Sequence, residues 1–451
     1  MDVATFSLFL LRILSACAAL WLIGLDRIGL ALNQLHYWLA ARKPQLTYKP
    51  SKVNNRILES CSILEEPYHP TWYLFWGHLR SLLLNLNHEA PNPSVPYERE
   101  LVKLSDGGVV ALDWATLAPP ERQINQPTVI SSSFLLKSFD NSSFQLLLHG
   151  LTGGSRAIYI RMHADRLLKA GYRVVVMNAR GCNKTPVQTP KLFSLGCTND
   201  VRESVVHIRQ RIGARVVLIG VGFSLGANLL VKYLGEEGKN AQLTSAVSIC
   251  NPYCCTTTHQ LLTYSWLHRV VYNTILGKCM VKYFFKLSNA AEVHKDHPAL
   301  DYDALRKCRY LSDYDEQYTR RIFGFDTVTE LYRDASCTPY IKHVAIPLPC
   351  LSSKDDPISS HTAIPYADCS INPNVVLAVT HTGDHMAFYT GNASPHMWVS
   401  DVVVNYVHAT VKLSKEGMIT PNLQTAQDGT ALPKLSSVGT QVADHRTSHF
   451  A

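Results

Sequence analysis

Charge is scarce in this chain, and paired cysteines are missing. Only 17% of the 451 residues are Asp, Glu, Lys or Arg, against 46% that are apolar. No Lys/Arg block resembles a nucleic-acid arm, so the formal charge of +8 is scattered and nucleic acid is not an expected partner. Two readings of the excess remain, ordinary solubility and a mild attraction to anionic lipid headgroups. The twelve cysteines form no CxxC pair and no zinc-ligand spacing. That argues against a disulfide framework and a structural metal, and leaves free buried thiols as the expectation. No internal repeat is present, which argues against a solenoid.

Long apolar runs are also absent, with one exception. Phe6 to Leu25 is nearly continuous apolar sequence with Arg12 as its only charge. About 20 such residues span a bilayer core, and an arginine near one end can snorkel. An amphipathic stretch from Ile28 to Ala41 follows, and its Tyr37 and Trp38 suit the headgroup zone. The only charged side chain ahead of the run is Asp2, so the positive start of a cleaved signal is missing. Residues 1–43 are therefore expected to be a membrane anchor and interfacial segment, with a cleaved signal and a buried hairpin as the alternatives. Arg42, Lys43, Lys49 and Lys52 favour a cytosolic body by the positive-inside rule. The glycosylation sequons at Asn141, Asn183 and Asn392 pull the other way, and matter only in a lumen.

Residues 44–98, rich in proline and aromatics, read as a connector packed on the body that follows. Leu101–Leu104 and Val109–Trp114 flank Ser105-Asp-Gly-Gly108, a hairpin pattern. Residues 118–142 read mostly as loop, with a short strand expected near Thr128. From Phe144 short apolar runs alternate with helical patterns. The strands are expected at Phe144–Leu148, Val174–Asn178, Val216–Val221, Ala246–Ile249, Ile346–Leu351 and Val375–Val379. The helices are expected at Ser155–Ala170, Asn199–Arg211, Leu225–Gly235 and Pro395–Val411. This alternation predicts an α/β fold, a mostly parallel sheet with helices on both faces. Residues 253–340 interrupt it and look largely helical, which reads as a cap inserted in a body spanning 99–412. The Thr-, Gln- and Ser-rich tail, 413–451, is expected to lack structure.

Chemistry concentrates at the strand ends. Gly222-Phe-Ser-Leu-Gly226 lies between a β-branched strand and a helix, the setting that marks a nucleophile elbow. A sharp turn there lifts the Ser224 hydroxyl above the strand and sets it at a helix N-terminus, where N–H groups favour a developing oxyanion. His149-Gly-Leu-Thr-Gly-Gly154 ends an earlier strand, so the oxyanion hole is assigned to the N–H groups of Leu151 and Leu225. His149 is expected to orient that loop. The acid must follow the serine and precede the base. Asp355 and Asp356 both follow a strand, and Pro357-Ile358 directly after Asp356 favours Asp356. His381 and His385 are candidates for the base, and Gly-x-His ahead of an apolar pair favours His385, whose ordinary pKa suits proton transfer near neutrality.

Together these segments resemble a known group, the membrane-anchored α/β-hydrolase-domain (ABHD) lipases and their microbial relatives. The likeness spans roughly residues 60 to 410. It is carried by Ile63-Leu-Glu-Glu-Pro-Tyr-His-Pro-Thr71, Lys103-Leu-Ser-Asp-Gly-Gly108, His149-Gly-Leu-Thr-Gly-Gly-Ser155 and Asn178-Ala-Arg-Gly-Cys182. Gly222-Phe-Ser-Leu-Gly226, Asp334-Ala-Ser336, Asp355-Asp-Pro357 and Asp384-His-Met-Ala-Phe388 complete it. The resemblance implies an α/β-hydrolase fold with a triad of Ser224, Asp356 and His385 and no cofactor or metal. It further implies a phospholipase or carboxylic ester hydrolase acting on lipids, single-pass in the endoplasmic reticulum or another endomembrane. One departure stands out: the family's Gly-Gly-His is Gly383-Asp384-His385 here, which sets a carboxylate beside the base. Two other functions remain open. One is an acyl-ester synthase or acyltransferase using the same acyl-enzyme, and the other is a non-catalytic membrane scaffold that retains the fold.

Overall fold

A computed structural model describes residues 41–71, 93–116, 143–391, 395–420 and 437–441. The strands follow from runs of β-branched and apolar residues. They are β1 (Gln45–Tyr48), β2 (Tyr97–Lys103), β3 (Val109–Ala115), β4 (Ser143–Leu148), β5 (Arg173–Asn178), β6 (Val217–Phe223), β7 (Ser245–Ile249), β8 (Leu348–Ser353) and β9 (Val375–Thr380). They hydrogen-bond in the order β1-β9-β8-β7-β6-β4-β5-β3-β2. The six strands β4 to β9 are parallel, and β1, β2 and β3 run antiparallel at the two edges. Every residue of β4, β6, β7, β8 and β9 is buried, as expected when helices cover both faces. Ile158–Lys169 and Trp398–Lys415 pack on one face, and Thr198–Ile212 and Leu225–Glu237 on the other.

This is the α/β-hydrolase architecture. Chain order reverses at β4, which has β5 on one side and β6 on the other. A sheet of this kind opens its crevice at the carboxyl ends of the strands at that switch point. Between β7 and β8 the chain leaves the sheet for a run of helices from Cys255 to His343, the cap.

Two segments depart from the sequence reading. The connector is part of the sheet: β1 pairs antiparallel with β9, Gln45 opposite Val379, and Lys52–Ser60 is a helix packed against Trp398–Lys415. The tail also contributes a strand, Ser437–Gln441, antiparallel on the outer edge of β2. The cause is common to both. β9 and β2 would otherwise end the sheet with unpaired N–H and C=O groups, and short extended segments satisfy them. The expected anchor, the loop strand near Thr128 and the sequons at Asn141 and Asn392 lie outside the described residues. Among the described residues no helix is long and apolar enough to cross a membrane, and the cysteines are free. Asn183, the remaining sequon, is committed elsewhere. Its amide nitrogen donates to Ser155 Oγ at 2.7 Å and Asn178 Oδ1 at 3.0 Å.

Candidate active site

The end of β6 explains the two glycines around Ser224. The serine sits at φ 53°, ψ −118°, a conformation that side chains rarely adopt. A Cβ on Gly226 would lie 2.3 Å from the Leu148 carbonyl oxygen, and one on Gly222 would lie 2.6 Å from the Ala227 Cα. Both are backbone collisions that only glycine avoids. Backbone strain gathers around this turn. Thr152, Ser224, Cys250, Asp384 and Met386 are five of the eight non-glycine residues with positive φ among the described residues.

The loops after β8 and β9 bring the other two groups to the serine. His385 Nε2 lies 2.8 Å from Ser224 Oγ, and His385 Nδ1 lies 2.8 Å from Asp356 Oδ2. The other Asp356 oxygen accepts from the N–H groups of Ile358 at 2.8 Å and Ser359 at 2.7 Å, which fixes the carboxylate plane. Asp355 points away and accepts from the Asp384 N–H at 2.8 Å. His381 is exposed. The structure thus unites Ser224, His385 and Asp356 and leaves Asp355 and His381 out.

The loop after β4 is pinned from several sides. His149 Nδ1–H donates to the Gly150 carbonyl, and its Nε2 accepts from the Ala179 N–H. Burial holds this imidazole down to about 4, so it stays neutral in that tautomer. The Gly150 N–H is spent on the Tyr159 hydroxyl at 2.8 Å. The N–H groups of Leu151 and Leu225 have no partner among the described residues, and both residues line the cavity with Ser224.

Two residues here carried no signal in the sequence. Cys250, at φ 50°, accepts the Met386 N–H on its sulfur at 3.2 Å. Its sulfur and the ligand atoms of Asp356 and His385 all lie within 4.8 Å of one another. That set does not fit a metal: Asp356 and His385 are engaged with each other, and burial with the Asp356 charge holds the thiol protonated. Tyr159, the hydroxyl that takes the Gly150 N–H, is the second.

His385 titrates against opposing effects. Burial lowers its pKa, but the Asp356 charge and hydrogen bond outweigh it, and the Asp384 charge adds to them, so the imidazole is held above 6.5. Asp384 is fully buried at φ 56°. Aspartate tolerates that left-handed conformation better than most residues.

The serine opens into a cavity of about 890 Å³ beneath the cap, with apolar walls from Phe193, Leu262, Leu276 and Met280. One carboxyl also lines it. Asp315 is fully buried, accepts from Thr319 Oγ1 at 2.6 Å and Tyr332 Oη at 2.7 Å, and is pushed by burial up to about 6. Its cost follows from linkage. Below pH 4 the group is neutral in both folded and unfolded chains. As pH rises from about 4 to about 6 the folded state loses stability, about 3 kcal/mol in all, and the loss is complete above that window. Asp315→Asn is therefore expected to raise the melting temperature at pH 8, with the gain vanishing near pH 4; an equal shift at both pH values would contradict it.

A strand-end serine joined to a histidine and a carboxylate, under a cap, defines an α/β-hydrolase-fold ester hydrolase. Residues 146–279 match the α/β hydrolase fold family. The chain is 30% identical over 403 residues to the Embryogenesis-associated protein EMB8 of Picea glauca, covering 88% of this chain and 83% of that one. It is 30% identical over 378 residues to Phospholipase ABHD3 of Homo sapiens, covering 82% and 86%. A further relative is Medium-chain fatty acid ethyl ester synthase/esterase 2 of Saccharomyces cerevisiae, 27% identical over 384 residues, with 74% and 84% covered. The chain belongs to the ABHD family of α/β hydrolases.

Proposed function

We infer that the protein is a membrane-associated serine hydrolase that cleaves carboxylic esters of lipids, phospholipids foremost, through an acyl-enzyme. The observation that carries this is the 2.8 Å chain from Ser224 through His385 to Asp356 opening into a largely apolar cavity. Its volume is within the range of small-molecule sites. A relative named as a phospholipase supports the substrate class. Ser224 Oγ attacks the ester carbonyl carbon while its proton passes to His385 Nε2. Asp356 holds the imidazole in the required tautomer and stabilises its cation. The carbonyl oxygen becomes an oxyanion that the Leu151 and Leu225 N–H groups receive. His385 then protonates the departing alcohol, leaving the acyl group on Ser224. Water repeats the sequence and releases the fatty acid. Phe6–Leu25 would tether this site to the membrane that holds its substrate.

Comparing lipid extracts of cells expressing wild type and Ser224→Ala tests the reading. Phospholipids with matched fatty-acid products should differ between the two, and identical extracts would sink it. The buried Asp384 provides a second test. Asp384→Asn removes a charge that favours the His385 cation, so the acidic limb of kcat/KM is expected to move to lower pH; a limb that stays in place contradicts the role given to His385.

A second reading, transfer of the same acyl group to an alcohol, is favoured by the relative named as an ethyl ester synthase/esterase. Adding ethanol and measuring ester against free acid separates the two.

A further inference from the structure

The cap carries a face that the chemistry above does not use. Trp266–Leu287 forms one continuous helix, with π-type turns at Arg269–Asn273 and Tyr283–Leu287. Its inner side is buried through Tyr272, Gly277, Met280, Tyr283 and Phe284. Its outer side is not. Along it Trp266 is 75% exposed, Ile275 54% and Leu287 50%, and Tyr264, which ends the preceding helix Cys255–Tyr264, is 83% exposed. Isolated exposed apolar residues are ordinary, but two on this helix also belong to the cavity wall. Val271 and Ile275 are exposed and also line it, so apolar surface runs from the outside of the helix into the chamber that holds Ser224.

The charge on this face has one sign. No Asp or Glu occurs between Glu237 and Glu292. Lys278, Lys282 and Lys286 recur on the exposed side with Val271 and Ile275, and Arg269 is exposed near the start of the helix. None of these four cations makes an ion pair among the described residues.

We propose that this helix docks the cap on an anionic bilayer surface, with Tyr264, Trp266, Ile275 and Leu287 among the acyl chains and the three lysines at the headgroups, so that lipid enters the cavity from the membrane side. Aromatic tips beside apolar residues and a basic stripe are what an interfacial helix presents. A nucleic acid would complement the lysines but not the exposed tryptophan and isoleucine. A protein partner has no claim on the cavity mouth, whereas a lipid substrate must pass it. The proposal rests on the lipid-ester reading of the site.

The test uses the full chain reconstituted in vesicles of phosphatidylcholine with and without 30% phosphatidylserine. Two variants are compared, Tyr264→Ser/Trp266→Ser and Lys278→Glu/Lys282→Glu/Lys286→Glu. Hydrolysis of vesicle phospholipid should fall about tenfold or more in each, with the lysine variant losing more on anionic vesicles. Hydrolysis of soluble 4-nitrophenyl butyrate should stay within about twofold, which also certifies the fold. Independently of activity, brominated lipid should quench tryptophan fluorescence more in wild type than in Trp266→Phe. A wild type that hydrolyses neither ester overturns the catalytic reading, and quenching still decides docking. Equal quenching in the two proteins, or unchanged vesicle rates in both variants, overturns the docking.

Discussion

Ser224→Ala is expected to lower kcat for ester hydrolysis by about a million-fold while leaving KM nearly unchanged, because the hydroxyl is asked to supply the covalent step and nothing in ground-state binding. A residue of about a thousandfold over water should persist, since the Leu151 and Leu225 N–H groups and the cavity remain. The loss should not be a loss of fold. The Ser224 hydroxyl bonds to His385, at an edge open to the cavity, so the melting temperature should move little. Removing His385 as well should add almost nothing, because the two act as one unit and their effects do not sum. Labelling by a fluorophosphonate probe gives the cheap version. Wild type should label and Ser224→Ala should not, and a variant that labels as strongly as wild type places the nucleophile elsewhere.

Much of the scaffold was legible because the parallel strands leave little choice. β4, β6 and β7 are buried on both faces, so they read as continuous apolar runs, and their observed limits differ from the expected ones by one or two residues. β1 was not legible. Gln45–Tyr48 has four residues and little apolar content, and its existence depends on the open edge of β9, over 300 residues away. The same holds for Ser437–Gln441 on β2. At the site, Ser224, Asp356 and His385 could be named because a turn, a strand end and chain order constrain them. Cys250 and Tyr159 could not, because each acts by touching a backbone N–H that only the folded chain brings near. Asp384 was visible as a departure from the family motif, but its full burial at a positive φ was not.

The pair Asp355-Asp356 is where a wrong choice in the sequence would be most costly, and substitution separates the two by orders of magnitude. Asp356 Oδ1 is fixed by the Ile358 and Ser359 N–H groups, and Oδ2 faces His385 Nδ1. In Asp356→Asn the amide oxygen must take the Oδ1 position, since only it can accept those two N–H groups. The amide NH₂ then points at His385 Nδ1 and forces the ring proton onto Nε2. An Nε2 that carries a proton cannot accept one from Ser224, so kcat is expected to fall about 10⁴-fold. The Asp356 charge that favours the His385 cation is lost as well, so residual activity should extend to lower pH. Asp355→Asn changes far less. Its Oδ1 accepts the Asp384 N–H, and an amide oxygen can do the same, so the loss should stay below about tenfold. Measuring kcat for both variants at pH 8, with melting temperatures as the folding control, decides the matter. A larger loss in Asp355→Asn would transfer the acid to its neighbour and undo the geometry assigned to His385.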